Sequence, residues 1–524
     1  MMMASPSAPD SVLRVALDWE VDAIDPPASF GGWNTGRVVQ QMFESLYEDD
    51  LEDEAASPTR LIPALATSVE ISTDGLQYLF RLREDVRFHD GTRFDAEAVR
   101  FNIDRMWNPG APQYSAVAAD YNRIGLEALK SVEVLGAFTI LLTLKEPFPE
   151  FLRYMTQEDA PGAHVFISPE ALKNHGNSGI ADHAPGTGPF CFENRFSTPF
   201  GSGVRLRRNE DYWGGSPKLK GIEFKPYPRL EDRYNALLNG DADLAYGLEG
   251  SDLDELERRG FVVIESQVPY VWYFIFNMRD PVLSDVRVRH AIAHAVDREG
   301  LSNSIFRGHT TVASGMLPPA SPAFDEKYKF PYEFNPDRAR QLLKEADVPP
   351  GWRLRIMTAN AGSGQLMPTR ICEYLAKNLE AIGFGAEIVR TEDWVSYCNE
   401  WRSGLPAGAG LSQMSWGMSC DVWLEQVLHS RNISPFGFNA GNYSNPAVDR
   451  LLDKARQLQS GDQRSLLYRE AHAFIMDDLP TLPMLTLRRG SVCYHSRVKG
   501  FRNPRQNWHS FKNVWTDTDI DRSS

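Results

Sequence analysis

The sequence predicts a folded α/β protein with more than one hydrophobic core. Its 524 residues correspond to about three or four lobes, because a domain usually holds roughly 150 residues. Charged residues make up 24% and hydrophobic residues 42% of the chain, which is a globular composition and excludes a disordered protein. Strand-like and helix-like segments intermix without strict alternation, so a single doubly wound sheet is not indicated.

The chain opens with a strand, a loop and a helix. Residues 12–17 are apolar and predict the first strand, and the Pro/Gly-rich residues 24–36 predict a loop. Val38, Met42 and Leu46 then recur at helical spacing. This order predicts an α/β arrangement from the first residues onward.

Later elements have equally local signals. Residues 76–83 alternate apolar and mainly polar side chains, which is typical of a half-buried strand. Asp95, Asn335 and Asn445 each precede an apolar-periodic segment and predict helix N-caps. The acidic run 48–54 is interpreted as a solvated insertion loop.

The charge balance argues against a nucleic-acid partner. Lys plus Arg is 55 and Asp plus Glu is 70, so the net charge is −15, and such a chain lacks the positive surface that a phosphate backbone needs. No stretch of 18 apolar residues is present to span a bilayer. The first residues do not form a signal peptide, which predicts a cytoplasmic protein or an artificial start in place of an export signal. The triple methionine favours the second.

The five cysteines predict neither a zinc ribbon nor a disulfide framework. They are scattered along the chain without C-x-x-C spacing. We expect mostly buried free thiols, and one disulfide remains an open alternative.

The motifs associated with catalysis are absent or incomplete. His290 and His294 share a helix face at the spacing of a zinc site, but the glutamate of that motif is missing, so we interpret them as structural. Residues 362–365 lack the Lys-Ser/Thr of a P-loop and are interpreted as a loop. No G-x-S-x-G, H-E-x-x-H or kinase signature occurs. We therefore predict a protein that is not an enzyme and holds no cofactor or metal.

Tryptophan is the most informative residue type. Four of the 12 tryptophans lie within 30 residues of irregular, Gly-, Ser- and Met-containing sequence, namely Trp394, Trp401, Trp416 and Trp423. Core packing explains each one separately. Together they are typical of the aromatic wall of a small-molecule cleft. Trp33, which lies beside Asn34 in a Gly-flanked loop, and Trp272 are candidates for the same wall.

Several sequence segments resemble the extracytoplasmic solute-binding proteins of the peptide/nickel ABC importers, which are the oligopeptide-, dipeptide- and nickel-binding class. The segments follow one another along the chain in the order that is typical of this family. The resemblance extends from about Leu13 to Trp515. It rests on residues 74–99, 139–149, 186–190, 208–213, 276–277, 285–287, 295–298 and 479–484, and on the helices after Asn335 and Asn445.

The resemblance implies a bilobal periplasmic-binding-protein fold of the large class, with an inserted domain. It places domain I at 10–45, 186–269 and 488–524, domain II at 46–185, and domain III at 270–487. A small-molecule solute is expected in the cleft between the lobes, which closes by hinge bending. We expect a periplasmic monomer whose partner is the membrane permease of an ABC importer.

One departure from the family pattern bears on the ligand. Peptide-binding members carry an aspartate three residues after a cleft tryptophan, where it binds the α-ammonium group, and here Ser419 follows Trp416 at that distance. A neutral hydroxyl cannot supply the charge-assisted bond that a buried ammonium needs. Asp421 is a candidate to replace it. The predicted ligand site is Trp33, Asn34, Trp272, Trp416, Ser419, Asp421 and Trp423.

Three functions remain open at this stage. The first is a binding protein for a non-peptide solute such as an opine, a sugar conjugate or a metal chelate, with a di- or oligopeptide as the alternative ligand. The second is a hydrolase or metalloenzyme that uses carboxylates with His290 and His294. The third is a chaperone or receptor for peptides on the same fold, which needs a large and permissive cavity.

Overall fold

A computed structural model of the chain describes residues 11–28, 32–156, 164–248, 251–265, 268–360, 362, 365–392, 394–417, 421, 423–459 and 461–517. The chain divides into two compact units. Unit 1 comprises residues 1–248, 252–264 and 491–524, and unit 2 comprises 249–251 and 265–490. No described helix is long and apolar enough to cross a membrane.

The strands are β1 (Val12–Leu17), β2 (Tyr47–Asp49), β3 (Leu61–Pro63), β4 (Ala66–Ile71), β5 (Gln77–Leu82), β6 (Leu129–Gly136), β7 (Thr139–Leu144), β8 (Phe190–Thr198), β9 (Gly201–Arg208), β10 (Gly221–Pro226), β11 (Leu244–Tyr246), β12 (Val262–Glu265), β13 (Val271–Phe276), β14 (Thr310–Val312), β15 (Arg353–Ala359), β16 (Gly385–Thr391), β17 (Leu411–Trp416), β18 (Thr481–Leu487), β19 (Arg489–Tyr494), β20 (Val498–Lys499) and β21 (Trp515–Thr516).

The α-helices are α1 (Gly32–Met42), α2 (Ala96–Trp107), α3 (Ala116–Leu126), α4 (Phe151–Tyr154), α5 (Pro169–Gly179), α6 (Leu230–Leu238), α7 (Ser251–Arg258), α8 (Val286–Ala295), α9 (Arg298–Phe306), α10 (Pro336–Glu345), α11 (Pro368–Ala381), α12 (Trp394–Arg402), α13 (Trp423–Leu428), α14 (Pro446–Gln457) and α15 (Asp462–Asp478). Pro26–Ala28 and Ser430–Asn432 form short 3₁₀ helices. The α/β class predicted from the sequence is confirmed.

Unit 1 contains a seven-stranded and a four-stranded sheet. The seven strands have the order β12-β19-β11-β1-β10-β9-β8, and β1 runs parallel to β10 and β11. Leu13, Val15 and Leu17 pack into one core on one face of β1, while Ala16 packs into a second core on the other face. Burial on both faces is the reason that this strand reads as a nearly continuous apolar run.

The four-stranded sheet of unit 1 is antiparallel, with the order β4-β5-β7-β6. Tyr78, Phe80 and Leu82 of β5 are buried, in the alternation that the sequence predicts. Because both sheets belong to one compact unit, the separate domains I and II stay a prediction.

Unit 2 is built on a mixed six-stranded sheet with the order β14-β18-β13-β17-β15-β16. β13 is antiparallel to both of its neighbours, and β15 runs parallel to β16 and β17. Every residue of β13 is buried, because this strand lies inside the sheet and is covered on both faces.

The helix caps are where the local signals place them. Asp95, Asn335 and Asn445 each accept a hydrogen bond from a backbone N–H in the first turn of α2, α10 and α14. These bonds satisfy N–H groups that have no partner within the helix. Helix α1 ends at Met42, before Leu46, so the apolar periodicity predicted a longer helix than the chain forms.

The acidic run differs from its prediction. Asp49 is buried at the end of β2, and its carboxylate binds Arg153 at 2.9 Å. Thr59 and Thr156 also donate to it. This segment is therefore paired and internal at Asp49, because a buried carboxylate needs a cation and hydrogen-bond donors, rather than a solvated loop throughout.

All four cysteines that the structure describes are buried, and no disulfide joins any two of them: Cys191, Cys372, Cys398 and Cys493. This confirms the expectation for these four. Cys420 lies outside the described residues.

The family-like blocks around residues 187 and 212 meet at one buried carboxylate. Glu44 accepts hydrogen bonds from Thr187 Oγ1 at 2.7 Å, Tyr212 Oη at 2.7 Å and Trp213 Nε1 at 3.0 Å. Burial raises the pKa of Glu44, and the three donors oppose that shift. The segment after α1 is thereby bound to two distant segments of unit 1.

A buried imidazole makes unit 1 sensitive to acid. His164 is 2% exposed, neither of its ring nitrogens has a hydrogen-bond partner among the described residues, and burial lowers its pKa from 6.5 to about 4. The unfolded chain therefore binds more protons between these two pH values, so stability falls as pH decreases from about 6.5 to 4.

We expect His164→Leu to remove part of this acid sensitivity. The leucine fills the buried site and takes up no proton, so the loss of unfolding free energy between pH 7 and pH 5 should shrink by about 2 kcal/mol. Urea unfolding at the two pH values measures the difference. If both proteins lost the same unfolding free energy between pH 7 and pH 5, His164 would not be the source of the acid sensitivity.

Candidate functional site

Unit 2 presents the carboxyl ends of its three parallel strands at one edge of the sheet. These ends are Ala359 of β15, Thr391 of β16 and Trp416 of β17. Ligands of α/β sheets bind outside the carboxyl ends of parallel strands, because the chain leaves the sheet there in loops. This edge is therefore the candidate ligand site of unit 2.

Three aromatic rings meet at this edge and form what we call the aromatic patch: Trp401, Trp416 and Phe438. Their ring centroids lie 4.8 to 5.9 Å apart, within the range of favourable aromatic pairs. Trp401 is fully buried, whereas Trp416 and Phe438 are half-buried. The Arg402 guanidinium lies 5.6 Å from the Phe438 ring centroid. The patch thus offers apolar ring surface with a cation at its margin.

A polar side chain lies next to β17 on the sheet face opposite the patch, because Ser415 and Trp416 are consecutive strand residues and point to opposite faces. Gln365 Nε2 donates to Ser415 Oγ at 3.0 Å, and Ser415 immediately precedes Trp416 in β17. Among the described residues, none donates a hydrogen bond to the buried Gln365 Oε1. The amide acceptor and the ring surface therefore lie on opposite faces of this strand.

The loop after β15 packs against another tryptophan. Trp394 is 4% exposed, and its ring stacks on Tyr397 with centroids 5.7 Å apart. A Cβ atom added at Gly362 would overlap the Trp394 ring. Only glycine allows the backbone to lie this close to the indole.

We expect Gly362→Ala to destabilise unit 2 by about 1–3 kcal/mol, because the methyl group forces the Trp394 ring or the loop to move. Urea unfolding measures the change. Gly136→Ala is a matched control, since nothing lies within 4 Å of its added Cβ, and it should change stability much less. Equal effects of the two substitutions would contradict the steric argument.

Unit 1 has a corresponding edge, where the parallel strands β1, β10 and β11 end. Trp33 lies half-buried in the first turn of α1. Arg37, one turn later, lies over the Tyr246 ring at 3.8 Å and the Trp33 ring at 5.6 Å. The Arg37 guanidinium is thus placed between two rings at this edge.

Asn34 connects α1 to the loop after β1. Its Nδ2 donates to Asp18 Oδ1 at 2.7 Å and to the Trp19 carbonyl at 3.1 Å, and its Oδ1 accepts from Arg37 at 2.8 Å. Asn34 is fully buried. Its side chain therefore serves the internal structure of unit 1, whereas Trp33 keeps an exposed surface.

Trp272 and Trp423 are core residues in the structure. Trp272 is 1% exposed within β13, and Trp423, the first residue of α13, has no exposed surface. A ligand-wall residue needs a ring face to offer, so their predicted wall role has no support here. The four clustered tryptophans divide by burial, and only Trp416 is partly exposed.

The polar candidates after Trp416 have different outcomes. Asp421 is 4% exposed, and its carboxylate accepts a hydrogen bond from Ser321 Oγ. This carboxylate is therefore engaged within unit 2. Ser419 lies outside the described residues, so its role stays a prediction.

Three contributors to the unit 2 edge were not predicted: Gln365, Arg402 and Phe438. Gln365 falls in the segment that was interpreted only as a loop. Phe438 lies 22 residues after Trp416 in sequence, and no local pattern connects the two. Tertiary packing alone brings Phe438 to Trp416.

His290 and His294 lie on α8 and bind neighbouring segments. His290 Nε2 is 2.8 Å from the Asp477 carbonyl, and His294 Nδ1 is 2.7 Å from the Glu333 carbonyl. Both imidazoles thus fasten α8 to other parts of unit 2. Within the described part of the chain, no group of three or more His, Cys, Asp or Glu side chains could hold a metal ion.

Comparison with known proteins supports the resemblance found in the sequence. The profile of the bacterial extracellular solute-binding proteins, family 5 Middle, matches residues 60–434. The glutathione-binding protein GsiB of Salmonella paratyphi A is 30% identical over 446 residues, which cover 83% of this chain and 82% of GsiB.

Solved structures agree in fold. The periplasmic binding protein DppA from Helicobacter pylori, in complex with the peptide STSA, has a TM-score of 0.84 at 24% identity, covering 97% of this chain and 98% of DppA. AgaA from A. tumefaciens R10, in complex with agropinic acid, has a TM-score of 0.83 at 21% identity. The match covers 97% of this chain and 99% of AgaA. At these identities the likeness establishes the periplasmic-binding-protein fold.

The fold, the length of the family match and the relatives all indicate the same family of solute-binding proteins. The relatives are solute-binding proteins rather than enzymes. The chain is accordingly a substrate-binding component of the ABC-importer type, and it belongs to the bacterial extracellular solute-binding proteins of family 5.

Proposed function

We propose that the protein captures a small polar solute with the aromatic patch of unit 2 and delivers it to the membrane permease of an ABC importer. The single observation that carries this proposal is the half-exposed Trp416, which ends a parallel strand and packs against Trp401 and Phe438. An amphipathic ring at this position can cover a ligand while Arg402 orients its polar groups.

The leading ligand class is a non-peptide solute such as an opine, a sugar conjugate or a metal chelate. Ser419 occupies the position where peptide-binding relatives carry an aspartate, and Asp421 is bound to Ser321. A free α-ammonium group would thus lack the aspartate that peptide-binding relatives supply at this position, and a buried charge requires such a partner. The structural likeness to AgaA, whose complex contains agropinic acid, is compatible with this class.

A peptide-derived ligand is the second candidate. It is favoured by the 30% identity to a glutathione-binding protein and by the likeness to DppA, whose complex contains a peptide. In either case the proposal includes a monomer that acts in the periplasm and binds its solute without chemical change.

A thermal-shift and calorimetry panel tests the ligand class. The panel contains agropinic acid, reduced glutathione, a Met-Leu dipeptide and nickel with L-histidine. A true ligand at 100 times its Kd stabilises the native state by about 2.7 kcal/mol, which raises the unfolding temperature measurably. Tight binding of agropinic acid or nickel-histidine would support the non-peptide class, and preferential binding of glutathione or Met-Leu would replace it with the second candidate.

The same experiment tests turnover. The ligand recovered from the complex after incubation is expected to have an unchanged mass. A chemically altered product would reject the binding-protein proposal in favour of the hydrolase alternative.

A further inference from the structure

We propose that a solvent-open surface cavity of unit 1, lined by the exposed side chains of Arg207, His183 and Asp90, binds hydrogen phosphate, either as the free ion or as the end group of a phosphate monoester. The cavity has a volume of about 350 Å³, which is at the lower end of the range for small-molecule sites. Its wall comes from β8, β9, α5 and the segment that follows β5. This site is independent of the aromatic patch and of the solute proposed above.

Arg207 supplies positive charge to the cavity. It pairs with Cys191 across the β8–β9 ladder, so the two side chains leave the sheet on the same face. Among the residues that the structure describes, no carboxylate forms an ion pair with Arg207. Asp182, in the same wall, is already bound by Arg195 through two hydrogen bonds of 2.6 and 2.9 Å. Arg207 is therefore the cation available to an anionic ligand.

His183 supplies a hydrogen-bond acceptor. Its Nδ1 lies 3.0 Å from the Ala181 carbonyl oxygen, and because a carbonyl can only accept, Nδ1 carries the proton. In the neutral imidazole Nε2 is then a lone-pair acceptor. The His175 ring stacks on His183 with centroids 4.6 Å apart and planes inclined by 22°, which holds the imidazole in this orientation.

The other polar groups of the cavity wall add no positive charge and include a further hydrogen-bond acceptor. His89 Nε2 donates to the Gly188 carbonyl at 3.0 Å, and burial lowers the pKa of His89 to about 4, so this imidazole adds no charge. Asp90 also lines the cavity, and its carboxylate can accept a hydrogen bond from an O–H group. The wall thus combines a guanidinium donor with acceptors for an O–H group.

Hydrogen phosphate matches both requirements. Its ionised oxygens can accept paired N–H bonds from a guanidinium, and its hydroxyl can donate to His183 or Asp90. Sulfate has the same shape but no hydroxyl at neutral pH. An anion that lacks the proton leaves the acceptors facing its oxygens, so the site should discriminate against sulfate.

Calorimetry and ³¹P NMR at pH 7.5 test the proposal with sodium phosphate, methyl phosphate and sodium sulfate as probes. We expect saturable phosphate binding, with sulfate about threefold weaker because the exposed His183 and Asp90 acceptors repel an anion that carries no hydroxyl proton. If methyl phosphate bound more tightly than phosphate, the ligand would be a phosphate monoester. If phosphate bound more tightly, the ligand would be the free ion.

Two variants locate the binding. Arg207→Gln should weaken phosphate binding at least about tenfold through loss of a charge-assisted bond. Arg208→Gln is the matched control, since Arg208 lies next in the strand and is paired with Glu210 at 2.9 Å, and it should leave the affinity unchanged within about twofold. Circular dichroism checks the fold of both. Absence of saturable binding, equal binding of sulfate, or unchanged affinity in Arg207→Gln would overturn the proposal.

Discussion

Asp25→Ala is expected to destabilise unit 1 by about 3–5 kcal/mol, because it leaves a fully buried guanidinium without its carboxylate. The Arg105 side chain has no exposed surface, and its two Nη atoms bind the two carboxylate oxygens of Asp25 at 2.7 and 2.6 Å. Arg105 Nε also donates to Asn177 at 2.8 Å. A charge in this position cannot be rehydrated without opening the structure.

Urea unfolding of the variant and of the parent protein measures this effect. The matched control is Glu97→Ala, which removes an exposed ion pair with Arg100 on the same helix, α2, and should change the free energy of unfolding by no more than about 0.5 kcal/mol. If both substitutions lowered the free energy of unfolding by similar amounts, burial would not be the reason that the Asp25–Arg105 pair stabilises unit 1.

Trp416→Ala is expected to weaken ligand binding by about 2–4 kcal/mol, as the loss of a desolvated aromatic anchor does. The half-exposed Trp416 ring packs on Trp401 and Phe438, so the substitution removes ring surface at the edge where we propose that the ligand binds. Calorimetry with the ligand that the panel identifies measures the affinity of the variant and of the parent protein.

The control for Trp416→Ala is Trp423→Ala. Trp423 is completely buried, so its truncation should lower stability by about 3–5 kcal/mol whether or not ligand is present. The two variants therefore separate binding from packing. If Trp416→Ala lowered stability strongly but left the affinity unchanged, Trp416 would be a core residue and the aromatic patch would not be the binding surface.

Local features of the fold could be predicted because each depends on residues close together in the chain. Asp95, Asn335 and Asn445 cap helices whose first N–H groups lie two or three residues away. The strand β1 is identified by its own apolar run, and β5 by its own alternation. For the candidate site, the sequence indicated Trp416 as part of a dense group of tryptophans, but it could not separate this ring from the buried Trp423.

The sequence by itself determined the α/β class, the main caps and the family. Only the tertiary structure decided which polar residues are paired and which rings keep an exposed face. Asp25 and Arg105 are separated by 80 residues, and Glu44 and Thr187 by 143. No local periodicity can encode such pairs, because burial and hydrogen bonding depend on which segments meet when distant strands enter the same sheet. Trp416 and Phe438 become one surface for the same reason.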